Sequence, residues 1–357
     1  TLQIKTNMKG VSLFSSAGIG EVYLKEMGIE IIVANELLEK RAKLYKDLYP
    51  ETDVVIGDIA DDKIYKEILK KTGKKIDFLL ATPPCQGMSV AGKNRNISAM
   101  MLDERNYLIF RVIDFIKKKS PNFILIENVP AFLKLELPYG GKQYNILKLL
   151  ELFFNKKYII EADILDASDY GVPQKRMRAI IKIYKKELKW NSPRKTKKIT
   201  VREAIGKLQS LEAGEKSKIK WHFARPHTDK QVLCMKHTPT GKTAFDNKKY
   251  RPIKDNGENL KGYSSTYRRI NWDEPSPTIT IRNDAISSQR NVHPGRKQKN
   301  GEYSDARVLT PLELMILSSL PKNWKLPENT SESLIRKCLG ESIPPLLTKK
   351  IISEIKK

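Results

Sequence analysis

A chain of 357 residues is long enough to bury a sizeable core and suits one large domain plus a smaller one. Its 66 Lys and Arg against 41 Asp and Glu leave +25, which favours a polyanionic partner through phosphate contacts, although lysines solvated over every surface would give the same sum. Cys85, Cys234 and Cys338 lie too far apart for a CxxC metal pair or a disulfide framework, and no apolar run nears the roughly 18 residues of a spanning helix or forms a signal-peptide core, so a soluble, cytosolic protein is expected.

Residues 1–7 show little pattern and read as a leader or cloning remnant outside the fold. From Val11 to about Tyr184, short β-branched or apolar runs alternate with amphipathic stretches. Strands are expected at 11–14, 29–34, 53–56, 76–81, 122–127 and 179–183. Helices are expected at 37–48, 62–71, 107–119 and 144–154, where apolar residues recur at three and four. Alternating strands and helices imply a parallel sheet covered on both faces, with right-handed crossovers. Between 191 and 300 the composition turns to Lys, Arg, Asn, Gly and Pro with aromatic islands at Trp221, His222, Phe223, Tyr263, Tyr267 and Trp272. A separate loop-rich, irregular or β domain is expected there, against the alternative of a disordered basic insert; the run Pro277, Thr278, Ile279, Thr280, Ile281 reads as a packed strand. Helical periodicity returns at 311–320 and 346–355.

The chemistry-bearing residues cluster at the expected strand ends. Phe14, Ser15, Ser16, Ala17, Gly18, Ile19 and Gly20 follow the first strand and open a helix, where small residues let backbone approach a nucleotide-like ligand. Asn35 and Glu36 end the second strand, a place for a carboxylate that accepts from ribose hydroxyls, and Gly57, Asp58 and Ile59 follow the third. Each acid alone reads equally as a helix cap or a solvated loop charge. Pro83 and Pro84 stiffen the approach to Cys85 as it leaves the fourth strand at the ligand-binding edge. The fifth strand delivers Glu127, a candidate proton donor, and Arg176 and Arg178 share one face of the next strand, where two cations could favour a thiolate.

In this order the segments resemble the cytosine-C5 DNA methyltransferase family across nearly the whole chain. The resemblance implies an α/β fold: the Rossmann-like sheet of S-adenosylmethionine-dependent methyltransferases with a second, smaller target-recognition domain. It divides the chain into a catalytic, cofactor-binding domain at 8–187 and 335–357, and a target-recognition domain with its hinge at 188–334. Phe14, Ser16, Ala17, Gly18 and Ile19 look like the cofactor loop, Glu36 beside Leu37 the ribose acid, and Asp58 beside Ile59 the adenine acid; Pro83, Leu108, Glu341 and Ile343 complete the implied cofactor set. Pro84, Cys85 and Gln86 resemble the nucleophile motif, Glu127, Asn128 and Val129 the ENV motif, and Gln174, Arg176 and Arg178 the QxRxR motif. The segment from Arg307 to Glu313 is similar to RxLTxRE, and that from Gly340 to Pro345 to GNxVPP. The chain departs from these patterns at Ser16, where a glycine is usual, at Leu312 for arginine, and at Glu341 for asparagine.

The resemblance further implies that the Cys85 thiolate attacks cytosine C6 while Glu127 holds N3 and the amino group, Arg178 holds O2, and Arg176 lies nearer a phosphate. The target base must be flipped out of the duplex, behind a lid at 89–105. Gln86, Ser89, Gln174, Arg268, Arg269 and Arg282 are the expected DNA contacts, with Asn283 and Arg290 further candidates; Trp272 to Thr280 and His293 with Pro294 read as framework. Double-stranded DNA is the implied partner of a monomer that works without metal or membrane in a prokaryotic cytoplasm, on the nucleoid when bound to DNA. A cognate restriction endonuclease would act separately. An RNA cytosine-C5 methylase and a catalytically silent DNA-binding regulator on the same fold are the alternatives.

Overall fold

Strand β1 (Met8–Leu13) sets the pattern for the sheet, because its alternate side chains enter different cores: Val11 and Leu13 one, Met8 the other. The same alternation runs through β2 (Ile29–Glu36), β3 (Asp53–Ile56), β4 (Phe78–Ala81) and β5 (Phe123–Asn128). In β4, Leu79 and Ala81 face the first core and Phe78 and Leu80 the second; in β5, Ile124 and Ile126 oppose Phe123 and Leu125. Strands buried on both faces need near-continuous apolar runs, which is how these segments read. The computed structural model describes residues 7–84, 103–254 and 256–356.

A short hairpin of β6 (Glu136–Tyr139) and β7 (Lys142–Asn145) precedes β8 (Tyr158–Asp166) and β9 (Met177–Lys185). The seven-stranded sheet has the order β3-β2-β1-β4-β5-β9-β8. Strands β1 to β5 are parallel, whereas β9 runs antiparallel to both β5 and β8. Its reversal brings the start of β9 to the edge where β1 to β5 end.

Helices α2 (Asp62–Thr72), α3 (Ile109–Lys119) and α4 (Ile146–Phe154) lay Tyr65, Ile68, Val112, Ile116, Leu149 and Leu150 on the first core. Helix α1 (Glu39–Leu48) covers the second core with Ala42 and Tyr45. Its other helix comes from the far end of the chain, α9 (Pro345–Ile352), through Leu347 and Ile351. Lys189–Trp190 and Ile355–Lys356 pair as β10 and β11, and Trp190 is buried beside Phe123 and Phe78.

The region between carries the short helices α5 (Val201–Ile205), α6 (Asp229–Lys236) and α7 (Pro311–Leu317), followed by α8 (Glu332–Glu341). Between α5 and α7 the β structure among the described residues consists of isolated bridges. A small core of Cys234, Met235, Ala244, Tyr267, Ile286, Val292, Ala306 and Val308 holds this part together. A third cluster joins it to the sheet, placing Ala17, Ile19 and Leu44 against Ile270, Trp272, Ile279 and Leu314.

Several expectations require correction. Helix α1 starts at Glu39 and α4 at Ile146, because Tyr144 belongs to the hairpin; Tyr107 lies in a 3-10 turn, Glu104–Leu108, ahead of α3. Residues 277–281 form no strand: the backbone of Ile279 is held by side chains, its N–H by Gln174 and its carbonyl by Arg176. Among the described residues no helix is long and apolar enough to cross a membrane.

Candidate active site at the carboxyl edge of the sheet

The loop leaving β1 turns sharply, with Phe14, Ser16 and Gly18 in the left-handed region at φ 62°, 49° and 70°. At Gly18 a Cβ would stand 2.4 Å from the Tyr49 ring, so the close approach requires glycine. Tyr49 Oη donates to the Gly18 carbonyl at 2.7 Å. Thr82 Oγ1, at the end of β4, donates to Phe14 O at 2.9 Å. Ala17 and Ile19 bury their side chains in the third core.

Glu36 ends β2 with both carboxylate oxygens engaged, Oε2 accepting from Ser16 N–H and Oε1 from Leu38 N–H, each at 2.9 Å. Burial raises its pKa, against these amides and the Arg41 charge, which lower it. Asn35 donates to the carbonyls of Val55 and Gly57 at 3.0 and 3.1 Å and so locks the end of β3 beside Glu36. Asp58 is exposed and folds back on Ala60 N–H at 2.8 Å, while Leu37 is 58 % exposed. Leu108 is half-buried, whereas Ile59, Pro83 and Ile343 are buried. The Ser16 hydroxyl is enclosed near the Cys338 thiol without a hydrogen bond of proper geometry.

At the end of β4 the chain passes through Pro83 and Pro84; Cys85, Gln86 and Ser89, with the expected lid, lie outside the described residues up to Leu102. Asn128 Nδ2 donates to Pro83 O at 3.0 Å, fastening the end of β4 to that of β5. Glu127, 6 % exposed, stands on β5 opposite Ile180 of β9. Its Oε1 lies 2.6 Å from Arg178 Nε, but the N–H does not point along that line and this oxygen has no hydrogen bond. Arg178 also donates to the Met177 carbonyl at 2.8 Å.

Three expected contact residues are framework instead. Arg176 is 1 % exposed and donates to the carbonyls of Ile279 at 2.7 Å and Gly340 at 2.9 Å; its Nε has no hydrogen-bond partner among the described residues, but burial closes the guanidinium off from a phosphate. Burial above all, and then the Arg178 charge, pulls its pKa well below the ordinary arginine value. Gln174, 1 % exposed, accepts from Ile279 N–H and donates to Leu317 O. Arg269 is fully buried, with its guanidinium spent on the carbonyls of Met235, His293, Ser304 and Asp305. A buried arginine whose donors are all directed at carbonyls cannot also read a base edge. Among the other candidates Asn283 is buried against Arg336, Arg282 and Arg290 are exposed, and Arg268 is half-buried, donating to Ser264 O. Trp272 and His293 are buried edge to face, the tryptophan donating to Gly295 O at 2.7 Å.

The family model for C-5 cytosine-specific DNA methylases matches residues 8–357. The chain belongs to that family. It is 58 % identical over 353 residues to the Type II methyltransferase M1.HgaI of Avibacterium volantium, covering 99 % of each chain. It is 28 % identical to the Type II methyltransferase M1.HphI of Haemophilus parahaemolyticus, over 97 % of this chain and 86 % of that one. In fold it matches a protein encoded within an E. coli prophage (TM-score 0.69, 20 % identity, 97 % and 98 % covered). It also matches DNMT2 of Spodoptera frugiperda (TM-score 0.61, 19 % identity, 97 % and 100 % covered).

The structure of this methylase accounts for its departures from the family's motifs. Ser16 occupies a left-handed position, which explains why glycine is usual there. Leu312 packs into the third core and its N–H bonds to Trp221 O. Glu341 pairs with Arg41 at 2.7 Å, a partner that nothing in the sequence singles out, since Arg41 is one basic residue among several on α1.

Proposed function

We propose that this methylase moves a methyl group onto C5 of a cytosine flipped out of duplex DNA, using Cys85 as a covalent nucleophile, as the modification enzyme of a Type II restriction-modification system. The observation that carries the reading is the meeting of Glu127 and Arg178, 2.6 Å apart, at the edge where Asn128 fastens the Pro83 carbonyl two residues ahead of Cys85. Its two relatives named above are themselves Type II methyltransferases, one matching along its whole length.

In this reading the Cys85 thiolate adds to cytosine C6, and the ring electrons move toward C5. Glu127 hydrogen-bonds N3 and the exocyclic amine, and Arg178 holds O2, so the charge that builds on the ring meets fixed partners. After C5 is alkylated its proton leaves to a base, and expulsion of Cys85 restores the C5–C6 double bond. Arg176 and Gln174 act indirectly, by holding the Ile279 segment and Gly340 in place.

S-adenosylmethionine supplies the methyl group when bound. The residues present fit it: Glu36 keeps free lone pairs beside its two amide bonds for a ribose diol, and the enclosed Ser16 hydroxyl lacks a partner. Phe14, the backbone of Ala17 to Ile19, Leu37, Asp58, Ile59, Pro83, Leu108 and Ile343 would complete that pocket. We assign the sheet through Trp190, together with 335–356, to the catalytic domain, and the intervening segment to DNA recognition and the hinge. Gln86, Ser89, Arg268 and Arg282 are its proposed DNA contacts. The enzyme acts as a monomer without a metal, and a separate endonuclease shares its target.

Incubation with labelled S-adenosylmethionine and unmethylated genomic DNA, followed by mapping of 5-methylcytosine, tests the proposal. Label at C5 of cytosines within one short sequence is expected. Label confined to tRNA would favour the RNA methylase, and DNA binding with no transfer would favour a silent regulator.

A further inference from the structure

Glu341 closes α8 and Arg41 lies in the first turn of α1. Each is misplaced on its own helix, because an acid at a C-terminus and a cation at an N-terminus both oppose the helix dipole. They nevertheless meet closely: Arg41 Nη2 lies 2.8 Å from Oε1 and 2.7 Å from Oε2 of Glu341, with the side chains 17 % and 24 % exposed. Such a pair adds little to stability by itself. Its position suggests another use. Both charges act on Glu36, Arg41 favouring its ionised form and Glu341 opposing it, so the three groups share one electrostatic neighbourhood with Ser16 and Cys338.

We propose that Arg41 and Glu341 form a charge-balancing pair of the cofactor pocket, in which Arg41 is a positioning residue that neutralises and holds Glu341 so that Glu36 alone sets the local net charge. The inference rests on the S-adenosylmethionine reading given above. With the pair intact, the three side chains sum to one negative charge, as they would with a neutral residue at 341 and none at 41. S-adenosylmethionine carries one more positive charge than S-adenosylhomocysteine, at sulfur. Removing Arg41 should therefore penalise the neutral product more than the cationic donor, and removing Glu341 should do the reverse.

Calorimetric titration of both ligands into the full-length protein reads this directly. For Arg41→Ala the ratio of the homocysteine Kd to the methionine Kd should rise about fivefold, and for Glu341→Asn it should fall. The double variant should return to within about twofold of wild type, because the charge is again balanced. Arg41→Lys, which keeps the charge, should hold the wild-type ratio. Thermal unfolding of each ligand-free variant separates loss of fold from loss of balance, and Glu341→Asn with Arg41→Lys decides the matter if Arg41→Ala does not fold. Equal weakening of both ligands, or a double variant no nearer to wild type than Arg41→Ala, would mean a merely structural pair and overturn the inference. A wild-type protein that took up neither ligand would defeat the cofactor reading and this inference with it.

Discussion

Glu127 and Arg178 face each other because β9 is antiparallel: one residue ends its strand and the other begins its own at the same edge. Glu127→Gln keeps the shape but removes the carboxyl proton that the proposed mechanism directs to cytosine N3. The methyl-transfer rate should fall about 10²- to 10⁴-fold in a protein that still folds, measured as single-turnover label transfer; an unchanged rate would take Glu127 out of the chemistry. Arg176 acts differently. Arg176→Met would strand the carbonyls of Ile279 and Gly340, and denaturant unfolding should show a loss of about 2–4 kcal/mol. The sequence pattern placed both arginines at the site, yet alternation along a strand shows only that two side chains share a face. Both are buried, and what sets Arg176 apart is its pair of bonds to the carbonyls of Ile279 and Gly340, more than a hundred positions away, which nothing local encodes.

A buried carboxyl follows the β1 turn. Glu21 accepts from Ser12 Oγ at 2.5 Å and from the Tyr45 hydroxyl, and burial, against these two bonds, lifts its pKa from 4.5 to about 7. The folded state therefore keeps a proton that the unfolded chain releases near 4.5. The stability this contributes is full below that pH and lost as the pH rises through about 7, on the order of 3 kcal/mol in all. Unfolding midpoints across this range should decline for wild type and stay flatter for Glu21→Gln; parallel curves would contradict the assignment. Elements with continuous apolar runs, such as β4 and β5, were legible in the sequence because burial on both faces leaves no polar interruption. Strand β8 was not. It is half-exposed at the sheet edge, and its sequence, YIIEADILD, follows neither a strand nor a helix period. Residues 277–281 misled for the opposite reason, since β-branched side chains signal an extended, packed chain but not whether a ladder or side chains satisfy its backbone.

For the molecule as a whole, the charge of +25 admits two explanations, phosphate contact or evenly solvated lysine, and they differ in salt dependence. A DNA-bound methylase making about six to ten phosphate contacts should lose about 10³- to 10⁵-fold in affinity between about 50 and 200 mM salt. A shallow dependence in fluorescence anisotropy would assign the excess to the general surface. The parallel strands β1 to β5 and the order of the motifs were readable from the sequence, since each strand and each motif is written in a contiguous stretch. The junction where Gln174, Arg176 and Gly340 grip the Ile279 segment was not, because it is assembled from three distant parts of the chain. The proposed chemistry depends on one thiol, that of Cys85. Duplex DNA carrying 5-fluorocytosine at the target position, incubated with S-adenosylmethionine, should yield a denaturant-resistant complex whose peptide map places the DNA on Cys85, with none formed by Cys85→Ser. A complex that persists in Cys85→Ser, or an adduct on another residue, would contradict the account.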